Sequence, residues 1–140
     1  MQLITKETDY AVRALLNLLK QKGEYISARQ LAKEENIPYP FLRRIIGVLK
    51  DNKLIESKEG AGGGVRVLSW TDIIRMSEII SIFQGDIQLS SCMFRKTACS
   101  NRTGCVIRNR LKGIESIVQK ELNSITLASL RAEQEEEEII

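Results

Sequence analysis

The span from Ser27 to Leu68 constrains the fold more than any other, because its apolar residues pass from helical to alternating spacing across one glycine cluster. Ser27 offers a side-chain oxygen to cap a helix over 28–36, whose buried face would carry Ala28, Leu31 and Ala32. Ile37-Pro-Tyr-Pro40 then predicts a turn, and Pro40 suits the first turn of a further helix reaching to about Asn52. Phe41, Leu42, Ile45, Ile46 and Leu49 give that helix an apolar face and leave Arg43, Arg44 and Lys50 among its polar positions. Segments 54–58 and 65–68 read as strands around Glu59-Gly-Ala-Gly-Gly-Gly64, which predicts a β-hairpin. Helix, short turn, helix and glycine-tipped hairpin is the order of a winged helix-turn-helix.

The flanking sequence completes such a unit and adds to it. Tyr10, Ala14, Leu15, Leu18 and Leu19 predict a first helix from Glu7 to Gln21, stopped at Gly23. Ile74, Met76, Ile79, Ile80, Ile82 and Phe83 predict a short fourth helix that ends at Gly85 and closes the core. Farther on, Ile107, Leu111, Ile114, Val118, Leu122 and Ile125 are spaced by four, three, four, four and three, close to a coiled-coil seam. A seam at the end of a domain that already has a core calls for a second copy of the chain, with packing back onto its own domain as the alternative. The expected fold class is therefore mainly α with a small β-hairpin: a winged helix-turn-helix over 1–85, a cysteine-bearing loop over 86–105, a dimerisation helix and end segment over 106–131, and an acidic, disordered tail over 132–140.

Charge is uneven along this frame. Residues 1–70 hold twelve Lys/Arg against eight Asp/Glu, residues 92–112 hold six cations and no acid, and five glutamates crowd between 133 and 138. Tyr39, Pro40, Arg43 and Arg44 fall at the N-terminal end of the third helix, the part of a recognition helix that enters a major groove. Arginines there can bond guanine bidentately, whereas Ser27, Arg29 and Arg66 are placed for phosphates. Gly62 and Gly63 would let the hairpin tip take positive φ and approach a phosphate backbone closely. Double-stranded promoter DNA is the expected partner. No run of roughly 18 or more apolar residues occurs and the first residues lack a signal-like apolar stretch, so a cytoplasmic protein without a membrane segment is expected.

The chain has no histidine, which excludes Ser-His-Asp and Cys-His catalysis and any mixed Cys/His zinc site. What remains is Cys92, Cys99 and Cys105, three thiols in a polar loop with six cations around them. Three thiolates from such a loop can converge on one soft metal centre, and positive charge favours the thiolate form. On spacing alone, three unrelated free cysteines is an equal reading. Arg108, always protonated, cannot donate a lone pair, so a fourth protein ligand would have to be an oxygen.

Lys6 followed by Asp9-Tyr-Ala-Val-Arg-Ala-Leu15, Asn52-Lys-Leu-Ile-Glu-Ser57 before Gly60-Ala-Gly-Gly-Gly64, the three cysteines and Asn123-Ser-Ile-Thr-Leu127 stand in one order across nearly the whole chain. That order resembles the IscR/NsrR-type bacterial winged-helix regulators, many of which carry an iron–sulphur cluster. The resemblance implies a homodimeric transcription regulator, not an enzyme, whose long helix crosses its mate. It also implies that Cys92, Cys99 and Cys105 hold a [2Fe-2S] or [4Fe-4S] cluster that controls promoter binding. The histidine that completes the site in the IscR branch is replaced by Arg108. In the NsrR branch the fourth ligand is an aspartate near the N-terminus of the other subunit, and Asp9 matches it, although a carboxylate at a helix start is also favoured by the dipole alone. Glu7 and an exogenous molecule are the competing ligands. Glu59 stands where IscR-like proteins carry a DNA-reaching arginine, which implies a different promoter preference. Direct oxidant sensing by the same thiols, without metal, is the alternative function; a winged helix that binds protein is a third.

Overall fold

The computed structural model describes residues 2–89 and 104–139. Their elements run α1 (Lys6–Lys20), α2 (Ala28–Glu35), α3 (Tyr39–Asp51), β1 (Ile55–Lys58), β2 (Gly64–Val67), a 3-10 turn (Thr71–Ile73), α4 (Met76–Gln84), α5 (Val106–Ser124) and α6 (Leu127–Ile139). The winged helix-turn-helix expected from the spacing is what forms.

Local chemistry accounts for each boundary. Thr5 caps α1 through Thr8 N, and Ser27 caps α2 by accepting from Gln30 N at 3.1 Å. Asn36 ends α2 at φ 53°, a left-handed conformation that asparagine tolerates. Leu31, Leu42, Ile45 and Leu49 are fully buried against Leu15, Leu18 and Leu54. Phe41 departs from the expectation: it is 47% exposed and meets Tyr10 edge-on, with ring centroids 6.5 Å apart. The buried stripe of α3 is Leu42, Ile45, Ile46 and Leu49, and a residue just before it is rotated about 100° away.

β1 and β2 pair antiparallel with Glu56 opposite Arg66 and Lys58 opposite Gly64. The hairpin is also stitched to the segment before α2, since Val65 N donates to Ile26 O at 2.8 Å and Ile26 N to Val65 O at 3.0 Å. That close approach demands glycine at 64, where φ is +139° and a Cβ would lie 2.1 Å from Ile26 O.

The C-terminal third returns to the domain. Met76 N donates to Ile125 O and Leu127 N to Ile74 O, so Ile74 and Arg75 pair with the α5–α6 junction rather than starting α4. Leu127 is 1% exposed, and the core thereby draws on a residue well beyond 1–85. The segment 132–140, expected as a disordered tail, is instead helical through Ile139. A reciprocal cap between Thr126 and Ser129 starts α6, and Arg131 with Glu135 (3.5 Å) and Lys20 with Glu138 (3.3 Å) hold its acidic half. On α5, Leu122 is buried with Met76 and Ile80, whereas Val106, Ile107, Ile114 and Ile117 are exposed. Among the described residues no helix is long and apolar enough to cross a membrane.

The glycines generate a paired expectation. Gly64→Ala should lower stability by about 2–4 kcal/mol, because both φ and the Ile26 carbonyl oppose a Cβ. Gly47→Ala, within α3 and with no atom within 4 Å of the new Cβ, should raise it by about 0.5–1 kcal/mol. Urea midpoints of the two variants should therefore move in opposite directions.

Candidate nucleic-acid interface

The residues expected to read DNA lie on one structural unit, the N-terminal ends of α2 and α3. Pro40 in the first turn of α3 and Ser27 capping α2 expose both helix starts. Between them, Tyr39 is a half-buried platform: the Arg29 guanidinium lies 4.4 Å from its ring centroid and that of Arg43 5.9 Å. Stacking of this kind holds two long, exposed side chains in place and lowers the entropy lost when they bind. Ser27 keeps its hydroxyl oxygen engaged with Gln30 N, which leaves its hydroxyl proton to serve a phosphate.

Arg44 stands differently. Its Nε donates to Glu7 Oε1 at 3.0 Å and its guanidinium lies 5.2 Å from the Phe41 ring centroid, so α3 is tied to α1 by an ion pair. The spacing of the chain showed neither this pair nor the role of exposed Phe41 as its packing surface, because the residues lie far apart in sequence.

The hairpin brings in residues that sequence reasoning missed. Arg66 donates from Nε to Glu56 Oε1 at 2.6 Å and lies 4.5 Å from the Tyr25 ring centroid, over which Lys58 Nζ also sits at 5.8 Å. The Glu56 hydrogen bond raises the Arg66 pKa above its ordinary value, against a smaller opposing effect of desolvation. Once strands were predicted over 54–58 and 65–68, a hairpin register would have paired Glu56 with Arg66; Tyr25 needed the tertiary bridge at Ile26. Gly62 is exposed at φ +75° with open space around it, as a tip approaching a ligand requires. Gly63 faces inward, since a Cβ there would meet Lys58 O at 2.2 Å.

Of the expected cluster ligands, Cys92 and Cys99 lie outside the described residues, and among those described no three metal-binding side chains gather. Cys105 is a half-buried free thiol at the start of α5. One turn farther along, Arg108 Nε is buried and finds no acceptor among the described residues. A buried cationic N–H without an acceptor among the described residues, one helical turn after a thiol in the sequence, suits an anionic sulphide-bearing group. Asp9 is exposed on the first turn of α1, 3.8 Å from Arg13 Nε. It lines an apolar groove of about 260 Å³ with Ile4, Val12, Met76, Leu122, Ile125 and Leu130, and is the one charged side chain of that lining. Glu7, two residues earlier, is already occupied by Arg44.

Residues 4–133 match the family model described as "Rrf2: Iron-dependent Transcriptional regulator". The chain is 34% identical over 113 residues to an HTH-type transcriptional regulator NsrR of Shouchella clausii, covering 79% of this chain and 73% of that protein. Its fold is similar to that of T. potens IscR (TM-score 0.75, 23% identity, 96% of this chain and 90% of that one). It is also similar to CymR, the global cysteine regulator of B. subtilis (TM-score 0.72, 25% identity, 94% and 98%).

The two arginines stacked on Tyr39 should behave differently on substitution. Arg43→Ala should cost about 1–3 kcal/mol on a preferred sequence and relax base preference, whereas Arg29→Ala should weaken preferred and random duplexes alike and reduce the salt slope by about one. Titrations of both variants on both duplexes at several salt concentrations check this.

Proposed function

The chain belongs to the Rrf2 family of transcriptional regulators, and from that premise we propose that it binds promoter DNA as a homodimer whose affinity is set by an iron–sulphur cluster on Cys92, Cys99 and Cys105. The observation that carries the DNA reading is the braced pair Arg29 and Arg43 on Tyr39 at the exposed starts of α2 and α3. Regulation, not catalysis, is the activity of the family.

Dimerisation is supported by what α5 leaves uncovered. Val106, Ile107, Ile114 and Ile117 are 74%, 68%, 48% and 65% exposed, too much apolar surface in one helix for an isolated protomer. Ile114 and Val118 border a groove of about 420 Å³ that continues to Leu3 and Leu89. A second copy of α5, which carries the same exposed apolar residues, is the proposed occupant, and a two-fold pair would present two copies of α3 to two half-sites.

An iron–sulphur cluster, when bound, supplies an iron centre that reacts with oxidants and nitric oxide. Three thiolates would hold it, with Arg108 and the other cations of 92–112 offsetting its negative charge. Asp9 is the leading fourth ligand: it is exposed, its one ion-pair contact, to Arg13, is long at 3.8 Å, and it borders an apolar groove at the C-terminal end of α5, whereas Glu7 is held by Arg44. A carboxylate is the harder ligand and the weaker hold on iron, which suits the corner of a sensor that opens. Helix α1 would carry such a change to the DNA-binding face by two contacts. Arg13 Nη2 donates to Glu35 O at 2.9 Å at the end of α2, and Glu7 pairs with Arg44 on α3.

A metal-free thiol sensor is the second reading, favoured by the likeness to the cysteine regulator CymR. Anaerobic reconstitution with iron and sulphide decides between them. We expect a coloured protein, loss of stable assembly in Cys99→Ala, and in Asp9→Ala an assembled cluster with altered absorption and faster loss in air. A colourless protein that takes up neither element would leave the thiol reading standing; an unchanged Asp9→Ala spectrum would remove the aspartate alone.

For assembly, Ile114→Glu should bury an unpaired carboxylate in the pair and weaken it by roughly 2–4 kcal/mol. Sedimentation should show a monomer for this variant at concentrations where the parent is a dimer, and DNA affinity should fall in parallel.

A further inference from the structure

The wing arginine does not stand free for a phosphate. Arg66 and Glu56 are directly opposed in the β1–β2 register, the Arg66 Nε donates to Glu56 Oε1 at 2.6 Å, and each side chain is 41% exposed. The Tyr25 ring, 4.5 Å from the guanidinium, packs against Arg66, so the guanidinium keeps its position through contacts besides the carboxylate. Glu56 therefore presents a carboxylate oxygen to the donor edge of Arg66 that a phosphate oxygen would otherwise take. Lys58 shares the ring, which puts two cations on one side chain of this face, with Glu56 the acid bonded to Arg66 and Glu24 acting on it from farther away. The same arrangement recurs on α3, where Glu7 holds Arg44 at 3.0 Å.

We propose that Glu56 is an affinity-setting residue of the DNA-binding reaction: an own-chain stand-in for a backbone phosphate that occupies Arg66 in the free protein and is exchanged for DNA on binding. The proposal rests on the DNA-binding reading given above. An exposed pair between two side chains is weak in water and screened by salt, so duplex DNA, with its dense phosphates and condensed counterions, displaces it. While closed, the pair contributes no net charge, and the wing attracts DNA with one cation fewer than its sequence suggests. Because phosphate contacts are blind to sequence, the cost falls on general adhesion to DNA.

The test compares wild type, Glu56→Gln, Arg66→Ala, the double variant and Glu136→Gln on a labelled mixed-sequence duplex across a salt series. Glutamine keeps an acceptor oxygen for Arg66 and removes the charge. Glu56→Gln should tighten binding by about three- to tenfold and steepen the salt slope by about one. That gain should vanish when Arg66 is alanine, and Glu136→Gln, which removes the same charge from the exposed side of α6, should gain less than about twofold. Unchanged or weaker binding in Glu56→Gln would overturn the proposal, as would an equal gain in Glu136→Gln or one that survives Arg66→Ala, since either would reflect bulk charge alone. The DNA-free protein gives a separate reading. The Arg66 Nε–H resonance should exchange slowly with solvent in wild type and quickly in Glu56→Ala, and equal exchange overturns the pair whatever DNA does. Slow exchange in a wild type that shows no salt-dependent DNA binding would instead defeat the DNA reading, and the proposed exchange with it.

Discussion

Five of the described elements pack against α1, and the small side chains of that helix are what permit it. Ala11 and Ala14 are 0% and 1% exposed and lie beside the fully buried Leu15 and Leu18, so the surrounding elements approach the helix closely. α2, α3, β2, α4 and α6 all contact it. Its polar edge is engaged no less fully than its apolar one. Gln84, the last residue of α4, accepts from Thr5 N at 2.8 Å and from Thr8 Oγ1 at 2.7 Å and donates to Leu3 O at 3.1 Å. The first turn of α1 is thus fixed to the residue from which the cysteine segment departs, while Glu7 and Arg13 fix it to the DNA-facing helices. A helix tied at both edges moves its neighbours when it moves.

Apolar periodicity made most of this legible. The stripes of α1, α3 and α5, the Ser27 cap and the glycine-tipped hairpin are local signals, decided by residues three or four apart, and each formed where the spacing put it. The misjudged parts are those that long-range contacts decide. The glutamates of 133–138 are solvated as read, but they are helical rather than disordered, and composition does not reveal that Lys20 and Arg131 pair with Glu135 and Glu138. Phe41 read as core because an aromatic residue next to an apolar stripe looks like part of it, although its ring is used for Tyr10 and Arg44.

The candidate site was legible by residue type but not by state. Arginines at helix starts and on a hairpin can be read from sequence as potential DNA contacts. Whether each is stacked, paired or free depends on Tyr39, Glu7, Glu56 and Tyr25; Tyr39 meets Arg43 one turn along the same helix and Glu56 meets Arg66 by hairpin register, whereas the Glu7–Arg44, Tyr39–Arg29 and Tyr25–Arg66 contacts form only through the fold. Cys105 and Asp9 were named from residue identity and resemblance, and the structure adds their surroundings: one turn after the first an Arg108 Nε that is buried without an acceptor among the described residues, and an apolar groove bordered by the second.

The backbone pairing of Ile74 and Arg75 with the α5–α6 junction has a consequence for how the chain matures. Synthesis runs from the N-terminus, and the hydrophobic cover that Leu127 gives to the core arrives about fifty residues after the segment it seals. During that interval the nascent winged helix carries an unsealed apolar surface while all three cysteines have already been made. The order of translation therefore puts all three cysteines into the chain before the core is closed, and the contact that closes it joins residues 74–75 to residues 125–127.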